Sequence, residues 1–142
     1  MKWIVFFIIA IIIWGFSRFV IAFIKQRNEI SANGGIKTIY KVLVDGLLNF
    51  HDARIIQDNE IFVNIGGTIT DPFYGNRECG IWSVIVQPTF NTLTVKYRAH
   101  IDLGGGETAN QVWNFPIHME QTEMLDVIKK EANQWNMFGI CI

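Results

Sequence analysis

His100 and Asp102 are the residues whose types and spacing come nearest to chemistry. At positions i and i+2 of a strand they share a face, and a carboxylate beside an imidazole is how a general base is oriented. That face also carries Lys96 and Arg98, which marks it as a solvated sheet surface. His51-Asp52 stands where a helix should end, and a histidine there answers the helix dipole. Gly104-Gly105-Gly106 lacks the Lys-Ser/Thr of a phosphate loop and reads as a turn. Two cysteines, Cys79 and Cys141, cannot make a zinc site with His51, His100 and His118, which show no ligand spacing. Buried reduced thiols are expected, with a disulfide as the alternative should the domain be exported. No GxSxG, HExxH, CxxC or calcium-loop spacing occurs. The expectation is therefore no enzyme, no cofactor and no metal, and a small membrane-bound enzyme resting on His100 and Asp102 is the remotest alternative.

The stretch that must position everything else is Trp3 to Ile24, WIVFFIIAIIIWGFSRFVIAFI. Its twenty-two residues span about 33 Å as a helix, against a hydrocarbon core of about 30 Å. Only Ser17 and Arg18 are polar. In lipid every backbone N–H must find a carbonyl within the segment, so a lone span is helical. A cleaved signal peptide ending near Gly15-Phe16-Ser17 is the competing reading, but it would leave Phe19 to Ile24 apolar at a new terminus in water. A core helix is excluded by size, because a domain this small cannot hide a helix that is apolar all round. A retained anchor over residues 1–27 is expected, with Trp3, Trp14, Arg18, Lys25 and Arg27 at the membrane interface. Arg18 is expected to snorkel along the helix to the headgroups; pairing with another helix is the alternative. The Lys/Arg excess after the span favours a cytoplasmic C-terminal domain.

From Asn28 onward eight basic residues face thirteen acidic ones. Such a domain repels phosphate backbones, so no nucleic-acid partner is expected. Residues 28–35 read as a linker or helix break ending in Asn-Gly-Gly, and residues 36–142 as one soluble domain. Ile36, Ile39, Tyr40, Leu43, Leu47 and Phe50 recur at helical spacing, so Ile36 to Phe50 is an expected helix, capped by Ser31 or Asn33. Gly46 within it implies close packing against a neighbour.

The period then changes to two. Arg54–Gln57 and Glu60–Ile65 are expected strands around Asp58-Asn59, with Gly66 and Gly67 ending the second. Thr68 to Gly80 reads as a loop, Ile81–Gln87 as a strand stopped by Pro88, and Gln111–Phe115 as a fifth strand. Leu93, Val95, Tyr97, Ala99 and Ile101 alternate with polar residues, as in an antiparallel sheet covered on one side. Thr122 begins a last helix with Leu125, Ile128, Ala132 and Trp135 on one face.

The expected fold class is α+β: an N-terminal transmembrane helix, then a small domain with an antiparallel sheet of about five strands flanked by two helices on one face. Phe73 and Tyr74 in their Pro/Gly/Asn loop suit a partner contact or a dip into headgroups, or one of them folds back into the core. Trp135 and Phe138 belong to an apolar tail that packs under the sheet, adds an edge strand or docks a partner. The functional expectation is a single-pass, membrane-anchored interaction or assembly module, with the bilayer and a protein or a second copy as partners. A pilin-like structural subunit is the alternative, weakened by the lack of an acidic residue early in the apolar segment and of a prepilin-type site before it.

Overall fold

An apolar stretch has no reason to stop being helical where it leaves the lipid-compatible run, and here it does not stop. In the computed structural model, which describes residues 2–71, 77–102 and 107–134, helix α1 covers Lys2–Ala32. The linker expected over 28–35 is therefore helical as far as Ala32. Two local interactions carry the extension: Lys25 lies 3.9 Å from Glu29 at i,i+4, and the Asn33 amide donates to the Glu29 carbonyl at 2.8 Å. The break comes at the glycines. Gly34 takes φ +86 and its N–H donates to the Ser31 carbonyl, while the Gly35 N–H reaches back to Ile30. This is the Schellman closure, whose left-handed position favours glycine.

Helix α2 (Ile36–Ile39) and helix α3 (Lys41–Leu48) replace the single helix expected over Ile36–Phe50. The interruption at Tyr40 is satisfied from a distance. Gln121 accepts from the Val42 and Leu43 N–H groups at 3.0 and 3.2 Å and donates to the Ile39 carbonyl at 2.7 Å. One side chain thus caps α3 and closes α2, a role that Ser31 and Asn33 do not play. Gln121 is also the first residue of helix α4 (Gln121–Gln134), so the three helical segments are pinned at one point.

Five strands follow α3 and precede α4: β1 (Arg54–Asp58), β2 (Val63–Asp71), β3 (Arg77–Thr89), β4 (Thr92–Ile101) and β5 (Glu107–Pro116). They form one antiparallel meander in sequence order. The fold is α+β, with the helices covering one face of the sheet. Across the middle, Val63, Val86, Val95 and Trp113 stand in one row, and Ile65, Val84 and Tyr97 in the next. All seven are buried with Leu43, Val44 and Leu47 of α3 and Met124, Leu125 and Ile128 of α4. Glu131 of α4 ties that helix to the sheet edge, accepting from the Trp113 indole at 2.7 Å and from Gln111 at 3.2 Å.

Two expected stops are strand interior instead. Gly66 and Gly67 lie within β2, because each serves a close approach rather than a turn. A Cβ at Gly66 would meet the Ile56 side chain at 2.3 Å, and one at Gly67 would meet the Trp82 ring at 2.8 Å. Strand pairing supplies the hydrogen bonds that glycine entropy disfavours. Pro88 continues β3 opposite Leu93, two residues beyond the last β2 pair at Val63↔Val86. Beyond that pair a missing N–H deprives β2 of nothing. The expected Thr68–Gly80 loop shrinks accordingly, with β2 and β3 paired to Asp71↔Arg77. The two-residue turn expected at Asp58-Asn59 is instead closed by Asn59, whose side chain accepts from the Ile61 and Phe62 N–H groups at 3.1 Å.

Gly46 meets the neighbour its position implied. A Cβ there would stand 2.2 Å from a Leu125 methyl, so α3 and α4 touch through the missing side chain. Gly46→Ala is expected to lower stability by up to about 2 kcal/mol, the balance of an overpacking cost of about 1–3 kcal/mol against a helix-propensity gain of about 1 kcal/mol. Chemical unfolding of the detergent-solubilised chain measures it, and a more stable variant would refute the close contact.

Candidate functional site

The face of the sheet turned away from the helices collects the chemistry-bearing side chains. Thr68, Ile81, His100 and Thr108 form one row across it, and Gly66, Ser83, Arg98 and Asn110 the next. His100 Nε2 stands 3.2 Å from Asp102 Oδ1, so β4 does bring the expected pair together. On its other side Nδ1 lies 3.4 Å from the Thr108 hydroxyl. The order hydroxyl, imidazole, carboxylate is that of an activated nucleophile. Its surroundings are those of open water: half of the His100 side chain and 74% of the Asp102 side chain are exposed. Among the described residues no group of three His, Cys, Asp or Glu side chains is arranged to hold a metal ion.

Beside this pair lies a shallow depression of about 410 Å³, floored by Gly66 and Gly67. Ile56 and Ile81 wall it, and Arg54, Arg98 and His100 rim it. The two isoleucines are 58% and 64% exposed, and Val112 on the same face is 51% exposed. An aliphatic patch bordered by guanidinium groups favours an apolar surface edged with carboxylates over any hydrophobic surface alone.

His51 and Asp52 do not sit against a helix end, as expected; α3 has closed at Leu48. They clamp β2 instead. Asp52, at φ 55, accepts from the Thr68 hydroxyl at 2.6 Å and from its N–H at 3.3 Å, and His51 lies 3.4 Å from the Thr70 hydroxyl. The Thr68 hydrogen bonds hold the Asp52 carboxyl below the usual aspartate range. A lowered folded pKa contributes stability that is complete above the ordinary aspartate value and is lost as pH falls through the folded one. Asp52→Asn keeps an acceptor and tolerates the left-handed backbone. It should therefore lose the charge-dependent part of that stability near neutrality, stay close to the parent at acid pH and so flatten the acid limb of the stability–pH curve; an unchanged acid limb in urea unfolding would contradict this.

A second cavity, about 590 Å³, opens where α1 meets the domain, between Ala22, Gln26 and Ile30 on one side and Phe90, Ile117 and Met119 on the other. Helix and domain touch directly here. The Phe19 and Phe90 rings lie 5.0 Å apart, and the Gln26 amide donates to the Phe90 carbonyl at 3.0 Å.

Trp3, Trp14, Arg18, Lys25 and Arg27 all lie exposed on α1. The Arg18 guanidinium stands 5.0 Å from the Trp14 ring centroid, a cation–π arrangement, and Ser17 returns its hydroxyl to the Ile13 carbonyl at 2.7 Å. Cys79 is buried, its thiol 3.4 Å from the Ile69 carbonyl. Phe73, Tyr74, Trp135, Phe138 and Cys141 lie outside the described residues. Sequence reasoning missed Ile56, Ile81, Val112 and Phe90 as surface features. The available signal was the run Ile81–Val86, apolar on both strand faces apart from Ser83, which a sheet covered on one side does not require. The chain matches no protein-family model, no curated protein and no solved structure.

Proposed function

We propose that the protein is a single-pass, membrane-anchored interaction module, non-catalytic, with its domain on the cytoplasmic side. One observation carries the reading. The helix over Trp3–Ala32 is long and apolar enough to cross a membrane, and every residue from Trp3 to Lys25 is exposed while the domain closes a core of its own. An apolar helix that its own domain leaves uncovered needs another apolar solvent. Lys25 and Arg27 beyond the span support the cytoplasmic orientation.

The outer sheet face is the proposed docking surface, for a protein offering aliphatic side chains edged with carboxylates to Ile56, Ile81, Arg54 and Arg98. Full-length protein tagged at its C-terminus should need detergent for extraction, and the tag should resist protease until the cytoplasmic side is opened. A partner crosslinked in membranes should be lost severalfold on Ile81→Asp. Retention of the same partner by that variant would reject the docking face, and release as sheared polymer would favour the pilin-like subunit instead. The hydroxyl–imidazole–carboxylate order at Thr108, His100 and Asp102 is the specific observation behind the second reading, a small membrane-bound enzyme. Loss of cellular function on His100→Ala, with the partner still bound, would favour it.

A further inference from the structure

The turn between β3 and β4 is built against ordinary turn chemistry. Phe90 occupies it at φ 51, a left-handed position that a bulky side chain takes at a cost of about 1–2 kcal/mol, while Asn91 follows one position later. Phe90 remains 39% exposed, and Ile117, whose N–H donates to the Asn91 carbonyl at 3.0 Å, is 40% exposed. No charged residue occurs from Gln87 through Leu93, or at Pro116-Ile117. This uncharged apolar tip lies alongside α1, with Phe90 against Phe19 and held by Gln26.

Length decides what the tip is for. Phe19 lies six residues, about 9 Å, N-terminal to Lys25 along the helix. If the whole domain stood in water, lipid could begin only beyond Phe19. That would leave Trp3–Ser17, about 22 Å, to cross a hydrocarbon layer of about 30 Å. Tilting shortens the reach further, and thinning the bilayer across that gap costs fractions of a kcal/mol for every ångström. With the tip sunk into the interface, the span extends to Ile24, about 33 Å, and the mismatch disappears. Arg18 then lies six residues, about 9 Å, inside the Ile24 end of the span, with its guanidinium over the Trp14 ring.

Resting on the anchor reading above, we infer that the β3–β4 turn is a second membrane contact: Phe90 and Ile117 insert into the interfacial layer of the bilayer beside α1. The domain is thereby seated on the membrane surface in one orientation, with the helix and the turn as its two points of attachment. The outer sheet face keeps a set direction relative to the bilayer.

Nitroxide labels report depth. Full-length protein with Cys141→Ser, in which Cys79 stays buried, is reconstituted into phosphatidylcholine–phosphatidylglycerol vesicles with a label at Phe90→Cys, Ile117→Cys, Ile12→Cys or Ile81→Cys. Accessibility to oxygen is compared with accessibility to a water-soluble nickel chelate. The labels at 90 and 117 are expected to show oxygen-to-nickel ratios severalfold above that at 81 and below that at 12. Position 117 serves should a cysteine at 90 disturb the turn. Ratios at 90 and 117 equal to that at 81, with 12 still deep, would overturn the seated turn and leave the anchor standing. A ratio at 12 equal to that at 81 would overturn both.

Discussion

Full-length protein carrying Ile9→Asp together with Ile12→Asp is expected to lose carbonate-resistant membrane association. Both positions lie inside Trp3–Ile24, within about 7 Å of its centre along the helix, and both are exposed on α1. Exchanging an isoleucine for an aspartate at the centre of a span shifts apparent insertion by about 3–4 kcal/mol, so the pair shifts it by about 6–8 kcal/mol. That exceeds what a single span can absorb by snorkelling, because aspartate has too short a stem to reach the headgroups. The domain should be untouched, since residues 3–24 contribute nothing to the core. The paired measurement is therefore extraction of the membranes and circular dichroism of the released chain. Association that survives both aspartates would remove the bilayer from the account of α1. Loss of the sheet signal would show that the helix supports the fold in a way its exposure does not suggest.

Trp82→Ala is expected to cost about 3–5 kcal/mol of domain stability, the usual range for deleting a large buried aromatic side chain. Trp82 is the largest fully buried side chain among the described residues. It stands in the row Gly67, Trp82, Ala99, and its ring lies over the bare backbone of Gly67, where a Cβ would come within 2.8 Å of it. Small residues on either side leave nothing to collapse into the vacated volume, so the upper half of that range is expected. A domain of this size has about 5–15 kcal/mol in total, so the variant should unfold at markedly lower denaturant. Trp82→Phe, which keeps most of the volume, should recover more than half of the loss. A cost below about 1 kcal/mol for the alanine variant would mean that the site relaxes freely, against the tight packing argued for Gly67.

Several elements were legible because their signal is local. The alternation from Leu93 to Ile101 placed β4 within one residue of its observed span, Thr92–Ile101. The apolar run marked α1 as a helix, and the glycine among the apolar positions of α3 marked the contact with Leu125. The errors fall where a distant partner supplies what the local chain lacks. Gly66, Gly67 and Pro88 carry the composition of turns, yet β2 and β3 run through them because neighbouring strands provide the pairing. The break at Tyr40 falls inside an uninterrupted helical pattern because Gln121, some eighty residues on, caps the second half. His100 and Asp102 were legible as a pair; their Thr108 neighbour was not, since only the β4–β5 register sets it opposite.

What the chain states by itself is its division of solvents: a run of side chains that water rejects, followed by an acidic, alternating sequence that closes over a core. That follows from composition and period, which need no partner to be read. Which residues remain on the surface was decided only by tertiary structure. A strand apolar on both faces, such as Ile81–Val86, has no preferred side until helices cover one of them. Covering that face left Ile56 and Ile81 exposed, and the length of β3 carried Phe90 to the side of α1. The physical reason is that burial is relational: it belongs to a pair of surfaces, and one strand's sequence holds only half of each pair.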